Sequence, residues 1–196
     1  EVGLPASLTT LPYWAFGNCT SLVRAEIPSG VQKIEYFAFG GCTSLAHVRI
    51  PASVSKIEIG AFDECRGLTS FMIEPGSALR PGSMDTYFWD CSGLTELGGP
   101  LWLIEHFHGD YSKILSITVN DEDILDSNSF GSYENLTSVT VSGSVKTIGS
   151  YAFAHCDQLR SVTISGDVSR IEYDAFFGCD SLSSVTFENA EGRYYK

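Results

Sequence analysis

Residues 45–67 read LAHVRIPASVSKIEIGAFDECRG, and this pattern recurs along the chain with a step of 23 residues. The phrase Ala-Phe-x-x-Cys-x-x-Leu marks the copies most clearly. Its phenylalanine keeps the step at Phe16, Phe39 and Phe62, and again at Phe130, Phe153 and Phe176. A period of about 20 to 50 residues is typical of a solenoid, in which each repeat buries its apolar face only against its neighbours.

One copy of the repeat divides into three segments. Leu45–Ile50 alternates apolar and polar residues, which predicts a short strand. Pro51 ends that strand because proline has no N–H to donate to a neighbouring strand. Val54–Ile57 predicts a second short extended segment, and Ala61–Cys65, which is too short for a long helix, predicts one helical or 3-10 turn.

These segments together resemble the BspA-like class of leucine-rich repeats, which occurs on bacterial surface proteins. Ordinary leucine-rich repeats use an L-x-x-L-x-L-x-x-N-x-L unit and lack the Ala-Phe-x-x-Cys phrase. The resemblance implies an α/β fold, namely a right-handed leucine-rich repeat solenoid with parallel strands on its concave face. Short helical or 3-10 turns and second short strands are expected elsewhere, and the strand starts predict about eight coils.

We expect a single solenoid domain over residues 1–187, followed by a C-terminal tail or the start of a linker over 188–196. The coils at about 74–113 are irregular, because the coil from Leu94 lacks the Ala-Phe pair. Tyr133 also replaces a repeat cysteine. The chain opens in mid-repeat without a signal-peptide pattern, so we expect an excised domain or a mature form.

Composition and charge exclude several classes of protein. Hydrophobic residues make up 43% of the chain, which argues against disorder, and no apolar run is long enough to predict a membrane span. The net charge of −12 argues against nucleic acid and anionic membrane surfaces as partners, because both attract basic patches. The charge alone selects no partner.

The six cysteines follow the repeat rather than a metal-binding pattern. Five stand at the Ala-Phe-x-x-Cys position, and Cys91 fits the displaced fourth coil. Side chains stacked in parallel along a solenoid point the same way, so we expect free, buried thiols rather than disulfides. No Cys-x-x-Cys pair is present, which argues against a structural zinc site.

The sequence predicts no enzyme and no cofactor. It contains no nucleophile elbow, phosphate-binding loop or dinucleotide fingerprint. One short string, His106-Phe107-His108-Gly109-Asp110, resembles part of the metal motif of metallo-β-lactamase-like hydrolases. Tyr111 stands where that motif has its next histidine, so we interpret the string as a solvated loop. His106, His108 and Asp110 are therefore only a weak candidate metal site.

The outward positions of the predicted strands suggest a binding surface. They lie between the apolar positions and form columns across the sheet, because side chains alternate along a strand. In the C-terminal half these positions are serine and threonine. In the N-terminal half they are chemically richer, and five of them form our first candidate contact site: Arg24, Glu26, His47, Arg49 and Met72.

The irregular coil offers a second candidate. Its aromatic residues either anchor a partner or fill the gap left by the missing Ala-Phe pair. Leu101, Leu103 and Phe107 have the volume to fill the core, so we favour core filling. Trp102 is then the residue left for binding.

Two functional hypotheses follow. The first is an extracellular or cell-surface binding module, similar to an adhesin, which recognises an extracellular protein, glycoprotein or glycan through its concave face. A host matrix component would fit this description. The second is a rigid structural spacer within a larger surface protein, with no ligand of its own. Saturable binding by this chain would separate the two.

Overall fold

The computed structural model describes residues 2–79, 88–105, 107, 109–120, 124–125, 127–143, 145–166 and 168–188, and the backbone of 194–195. Strands are the main regular secondary structure of these residues. In chain order the strands are β1 (Val2–Gly3), β2 (Thr10–Leu11), β3 (Ala25–Glu26), β4 (Lys33–Ile34), β5 (His47–Ile50), β6 (Lys56–Ile57), β7 (Ser70–Ile73), β8 (Glu96–Gly99), β9 (Ser116–Asn120), β10 (Ile124–Leu125), β11 (Ser138–Ser142), β12 (Thr147–Ile148), β13 (Ser161–Ser165), β14 (Arg170–Ile171), β15 (Ser184–Glu188) and β16 (Tyr194–Tyr195).

Helix is scarce. The described residues contain one short α-helix, α1 (Leu101–Glu105), and one 3-10 turn at Tyr111–Lys113. The predicted solenoid with parallel strands is therefore confirmed, whereas the helical part of the predicted α/β class is not, since the described residues contain little helix. Counted over the described residues, the chain makes about seven turns, so the predicted eight coils are not confirmed.

The chain forms two compact units. The N-terminal unit comprises Glu1–Glu96 and His106–Lys113, and the C-terminal unit comprises Leu97–Glu105 and Ile114–Lys196. Each unit carries a run of long strands on one side and the predicted second short strands on another. The domain end predicted at residue 187 stays a prediction.

In the N-terminal unit the long strands pair in parallel, one from each coil. Residues separated by one repeat are direct partners: His47 lies beside Ser70, and Arg49 lies beside Met72. An isolated parallel bridge joins Arg24 to His47, which extends the same register to β3. The short strands β2, β4 and β6 form a separate three-stranded parallel sheet.

In the C-terminal unit the strands β9, β11, β13 and β15 pair in parallel and in repeat register. The short strands β10, β12 and β14 form its second parallel sheet. The last strand, β16, reverses direction and pairs antiparallel with the final two residues of β15. The backbone of 194–195 therefore covers part of the β15 edge.

The Ala-Phe-x-x-Cys segments are hydrogen-bonded turns, which corrects the predicted helical or 3-10 turns. In the first segment alternate amides have different acceptors. The Phe16 N–H donates to the Ala38 carbonyl of the next coil at 2.8 Å, whereas the Gly17 N–H donates to Trp14 three residues back at 3.0 Å. A helix would need consecutive amides to bond locally, and half of these bond between coils.

A left-handed backbone residue accompanies every repeat cysteine. The residue directly before each cysteine has a positive φ, and four of these six residues are not glycine. They are Asn18, Gly41, Glu64, Asp90, His155 and Gly178. Five of the six are glycine, asparagine, aspartate or histidine, the residue types in which a positive φ is most common, and only Glu64 departs from this preference.

Stacked phenylalanine rings form the core of each unit. In the N-terminal unit the ring centroids of Phe16 and Phe39 are 5.2 Å apart, and those of Phe39 and Phe62 are 5.4 Å apart. In the C-terminal unit Phe130 and Phe153 stack at 4.6 Å with an interplanar angle of 5°. Phe39, Phe62, Phe130 and Phe153 are buried. The 23-residue period thus places one ring directly over the next.

The repeat cysteines are free thiols, as predicted, but the predicted burial holds only for Cys42, Cys65 and Cys156, whereas Cys91 and Cys179 are half-buried and Cys19 is exposed. Each of five thiols donates to the carbonyl of a repeat phenylalanine in the preceding coil. The Cys42 Sγ lies 3.1 Å from the Phe16 oxygen, and the Cys179 Sγ lies 3.0 Å from the Phe153 oxygen. Cysteine therefore acts here as a small apolar residue that also satisfies a carbonyl between coils.

In the C-terminal unit, residues of α1 fill the core at the irregular coil in place of the missing Ala-Phe pair. Leu101, Leu103 and Ile104 of α1 are buried, as the core-filling interpretation requires for the first two. Tyr133, which replaces the repeat cysteine, is buried, and its hydroxyl donates to the Ile104 carbonyl at 2.6 Å. The phenol thus reaches a carbonyl of the preceding coil, as the thiols do elsewhere.

Candidate functional site

The outward residues of β3, β5 and β7, together with Arg24, form what we call the N-terminal strand face. Its register sets two columns across the sheet. Arg24, His47 and Ser70 form one column. Glu26 belongs to the second column, in which Arg49 and Met72 are direct partners. Side chains two residues apart on a strand share one face, so both columns project outwards.

A groove of about 470 Å³ lies on this face. Its lining includes five of the six ligand-binding residues that the sequence predicts: Arg24, Glu26, His47, Arg49 and Met72. The structure therefore brings these residues together, as the period-2 alternation of the strands requires. Their assignment to ligand binding stays a prediction.

The charges in the groove are paired but exposed. The Arg24 guanidinium lies 2.6 Å from Glu26, and the two side chains are 62% and 65% exposed. Arg49 lies 3.5 Å from Glu74, with its own side chain 67% exposed. Exposed ion pairs contribute only about 0–1 kcal/mol, because water screens them and ordering long side chains costs entropy. A ligand can therefore displace either ion pair at a small cost in free energy.

Glu74 belongs to the groove, although the sequence analysis did not select it. It stands where the preceding coils carry Pro28 and Pro51. Proline has no N–H, whereas the Glu74 amide donates to the Ile50 carbonyl at 2.9 Å. The break in the Ile-Pro pattern after β7 was the sequence signal that would have found this residue.

The C-terminal unit presents a contrasting surface, which we call the C-terminal strand face. Four serines and four threonines occupy its two columns in repeat register. They are Ser116, Ser138, Ser161 and Ser184, and Thr118, Thr140, Thr163 and Thr186. Most of these side chains are half-buried, and none carries a charge. This face offers small hydroxyl groups and no preferred sign of charge.

The remaining predicted binding residue, Trp102, does not line the groove. It lies on α1 in the C-terminal unit and is half-buried, because its neighbours Leu101 and Leu103 occupy the core. Its predicted contact role stays a prediction.

The weak candidate metal site is only partly described. His106 and His108 lie outside the described residues. Asp110 is exposed and accepts hydrogen bonds from the amide and hydroxyl of Ser112 at 3.0 and 2.6 Å. The bonds from Ser112 lower the pKa of Asp110. Within the described residues, no group of three or more histidine, cysteine, aspartate or glutamate side chains is arranged to hold a metal ion.

The buried thiols are poor nucleophiles. Burial raises the pKa of Cys42 to about 11 and the pKa values of Cys91 and Cys156 to about 12. It also raises the pKa of Cys65. Only a thiolate attacks or binds a metal strongly, so these groups stay protonated and unreactive near neutral pH.

Comparison with known proteins places the chain in a family. The sequence profile described as BspA type leucine rich repeat region matches residues 1–98 and 105–193 in six copies. The chain therefore belongs to the BspA-type leucine-rich repeat family. The leucine-rich repeat solenoid is typically a binding or scaffolding fold. No curated protein matches the chain significantly.

Several solved structures are similar to the chain. A leucine rich cell surface protein from Faecalibacterium prausnitzii shares 22% identity and a TM-score of 0.41, over 96% of this chain and 59% of that one. The T. pallidum leucine rich repeat protein shares 24% identity and a TM-score of 0.44, over 79% and 62%. A leucine-rich repeat protein from Eubacterium ventriosum shares 23% identity and a TM-score of 0.45, over 92% and 42%. The chain thus spans less than two thirds of each.

The described residues include no helix with the length and hydrophobicity that crossing a membrane requires.

Proposed function

We propose that the chain is an extracellular or cell-surface binding module that recognises a protein or glycan, as an adhesin does, through the groove on the N-terminal strand face. The main support is the composition of that groove. Arg24, His47, Arg49 and Met72 share one face of a chain whose net charge is −12. Arginine and methionine are enriched at protein interfaces.

The remaining parts of the proposal concern location and shape. The family and the name of the F. prausnitzii cell surface protein support a bacterial surface or extracellular location. We also propose that the solenoid winds in a right-handed sense and that its strand face is concave. Crossover connections between parallel strands are right-handed in nearly all proteins. A host or neighbouring-cell glycoprotein is the partner class that this location favours.

Surface binding to a panel of extracellular matrix glycoproteins and glycans tests the proposal. The chain is compared with the double variant Arg24→Gln/Arg49→Gln and with the control Ser138→Ala/Thr140→Ala on the C-terminal strand face. We expect saturable binding to at least one panel member, lost in the arginine variant and kept in the control. Loss only in the control would move the site to the C-terminal strand face.

The absence of binding to every panel member would favour the alternative, a rigid spacer within a larger surface protein. The uniform C-terminal strand face is the observation that favours a spacer, because its small hydroxyl side chains provide solubility and strand propensity without a distinctive contact. Binding retained at full affinity by the arginine variant would also contradict the proposed site.

A further inference from the structure

We propose that the groove recognises an extended peptide with acidic side chains at positions i and i+2 and a basic side chain at i+4. This inference rests on the proposed function, since it names the partner of the same groove. It follows from a diagonal row of three charges on the N-terminal strand face: Arg24, Arg49 and Glu74.

The register gives the geometry of this diagonal. Arg24 pairs with His47, and Arg49 is two residues further along β5. Arg49 in turn pairs with Met72, and Glu74 is two residues further along, directly after β7. Each step therefore moves one strand across and two residues forward. Since neighbouring strands are about 4.8 Å apart and two residues advance about 6.6 Å, diagonal neighbours of this kind are about 8 Å apart between Cα atoms.

An extended peptide comes within about 1.5 Å of this spacing at each step, a difference that long side chains can span. Residues i and i+2 of a strand are about 6.5–7 Å apart and point to the same side. A peptide lying along the diagonal thus presents alternate side chains to Arg24, Arg49 and Glu74. Complementary charges at these positions are negative, negative and positive, which gives the pattern Glu-x-Glu-x-Lys.

The two guanidinium groups are available to such a ligand. Among the described residues each has one carboxylate partner, Glu26 for Arg24 and Glu74 for Arg49. A guanidinium carries five N–H donors, and the Arg49–Glu74 separation of 3.5 Å is long for a charged hydrogen bond. An incoming carboxylate can bind the remaining donors in a bidentate manner. When Arg49 binds a carboxylate of the ligand, its interaction with Glu74 weakens. A lysine of the ligand would then supply the positive charge beside Glu74.

The mixed sign of the diagonal favours a peptide over an acidic glycan. A polyuronate carries only negative groups, and one of them would face Glu74, where like charges repel. Met72 lies beside Arg49 in register and supplies a flexible apolar contact, which suits varied peptide side chains at the edge of the motif.

The test measures binding of labelled synthetic peptides to the whole chain by fluorescence anisotropy. The probes are Glu-Ser-Glu-Ser-Lys, its amide analogue Gln-Ser-Gln-Ser-Lys, the respaced Glu-Glu-Ser-Ser-Lys and the all-acidic Glu-Ser-Glu-Ser-Glu. We expect the first to bind at least about tenfold more tightly than the amide analogue, because charge-assisted bonds are lost in the latter. Added salt should weaken this binding, since the groups are exposed.

Variants separate a recognition role from a structural one. Arg24→Gln and Arg49→Gln should each remove most of the preference for the acidic peptide over its amide analogue. Glu74→Gln should instead remove the preference for lysine over glutamate at the fifth position. The matched control is Arg66→Gln, because Arg66 pairs with Asp90 at 2.6 Å and does not line the groove. This control should bind all four peptides as the unaltered chain does.

Equal binding of the acidic, amide and respaced peptides would overturn the inference. So would binding of oligogalacturonate, used as the glycan probe, that competes in the groove while the peptides do not bind. The proposed function would survive both results if panel binding were still lost in Arg24→Gln/Arg49→Gln. If panel binding and peptide binding were both absent, the proposed function itself would fail.

Discussion

The two strand faces have the same parallel backbone pairing, but one carries varied, charged side chains and the other carries uniform serine and threonine. On the N-terminal strand face neighbouring coils carry different residues at equivalent positions, such as Arg49 and Met72. On the C-terminal strand face they carry identical ones, such as Thr140 and Thr163. Parallel pairing needs only the backbone and the inward residues, so the outward columns are free to vary. Variation from coil to coil therefore distinguishes a candidate contact surface from a repeated scaffold.

The largest predicted effect tests whether the two units depend equally on their stacked rings. Phe39→Ala and Phe153→Ala each remove a buried ring between two others, and we expect each to lower the free energy of unfolding by about 3–5 kcal/mol. Chemical denaturation measures the change. Phe177→Ala, in which the ring is 53% exposed, is the control and should cost far less. A loss below about 1 kcal/mol for either buried ring would contradict the role of the ring ladder.

The second prediction concerns the tyrosine that replaces a repeat cysteine. Tyr133→Phe removes the hydroxyl that donates to the buried Ile104 carbonyl, and we expect a loss of about 1–3 kcal/mol. The ring itself remains, so no cavity contributes. Tyr36→Phe, at an exposed site, should leave the free energy of unfolding nearly unchanged. Equal effects of the two variants would mean that the buried hydrogen bond contributes nothing.

The third prediction uses the raised pKa of Cys156, which is about 12 in the folded chain because the thiol is buried. An unfolded cysteine has a pKa of about 8.5, so above that pH the unfolded chain loses a proton that the folded chain keeps. This thiol's contribution to stability is complete below about pH 8.5 and decreases as the pH rises towards the folded pKa. Its slope reaches about 1.4 kcal/mol per pH unit.

Unfolding free energies of the unaltered chain and of Cys156→Ala, measured from pH 8 to pH 10, check this sign. The variant should lose stability with pH less steeply. Cys19→Ala serves as the control, because Cys19 is exposed. Parallel curves for the unaltered chain and Cys156→Ala would show that the thiol does not resist ionisation in the fold.

The smallest predicted effect is on the N-terminal strand face. Arg49→Ala removes an exposed side chain with one long ion pair, so we expect the free energy of unfolding to change by less than about 0.5 kcal/mol. A thermal melt beside that of Thr140→Ala on the C-terminal strand face tests the comparison directly. Unfolding of the Arg49 variant would show that its side chain supports the core and is not free for a ligand.

The sequence predicted the common placement of the candidate site's residues better than the turns. Arg24, His47 and Arg49 were found because the alternation of apolar and polar residues specifies which side chains face outwards, and the period specifies which coils are neighbours. Glu74 was not predicted because strand alternation identifies only positions within strands, and this residue lies just beyond β7. The irregular coil was predicted as core filling, and the burial of Leu101 and Leu103 agrees with that interpretation.

Each Ala-Phe-x-x-Cys segment was predicted as one helical or 3-10 turn because it is too short for a long helix. The structure assigns alternate amides to the next coil, and a positive φ before each cysteine makes this possible. Five of these six positions are glycine, asparagine, aspartate or histidine, so the residue types themselves favoured a positive φ, and only Glu64 gave no such signal.

By itself the sequence indicated the family, through the resemblance of its Ala-Phe-x-x-Cys phrase, and its periodicity determined the stacking of coils and the inward and outward positions of each strand. Only the tertiary structure decided which side chains meet. The diagonal from Arg24 through Arg49 to Glu74 depends on the register between three strands, and the bonds of Cys42 and Tyr133 depend on which carbonyl of the preceding coil lies within reach. Residues distant in sequence can contact one another or one ligand only when packing sets the distances between them.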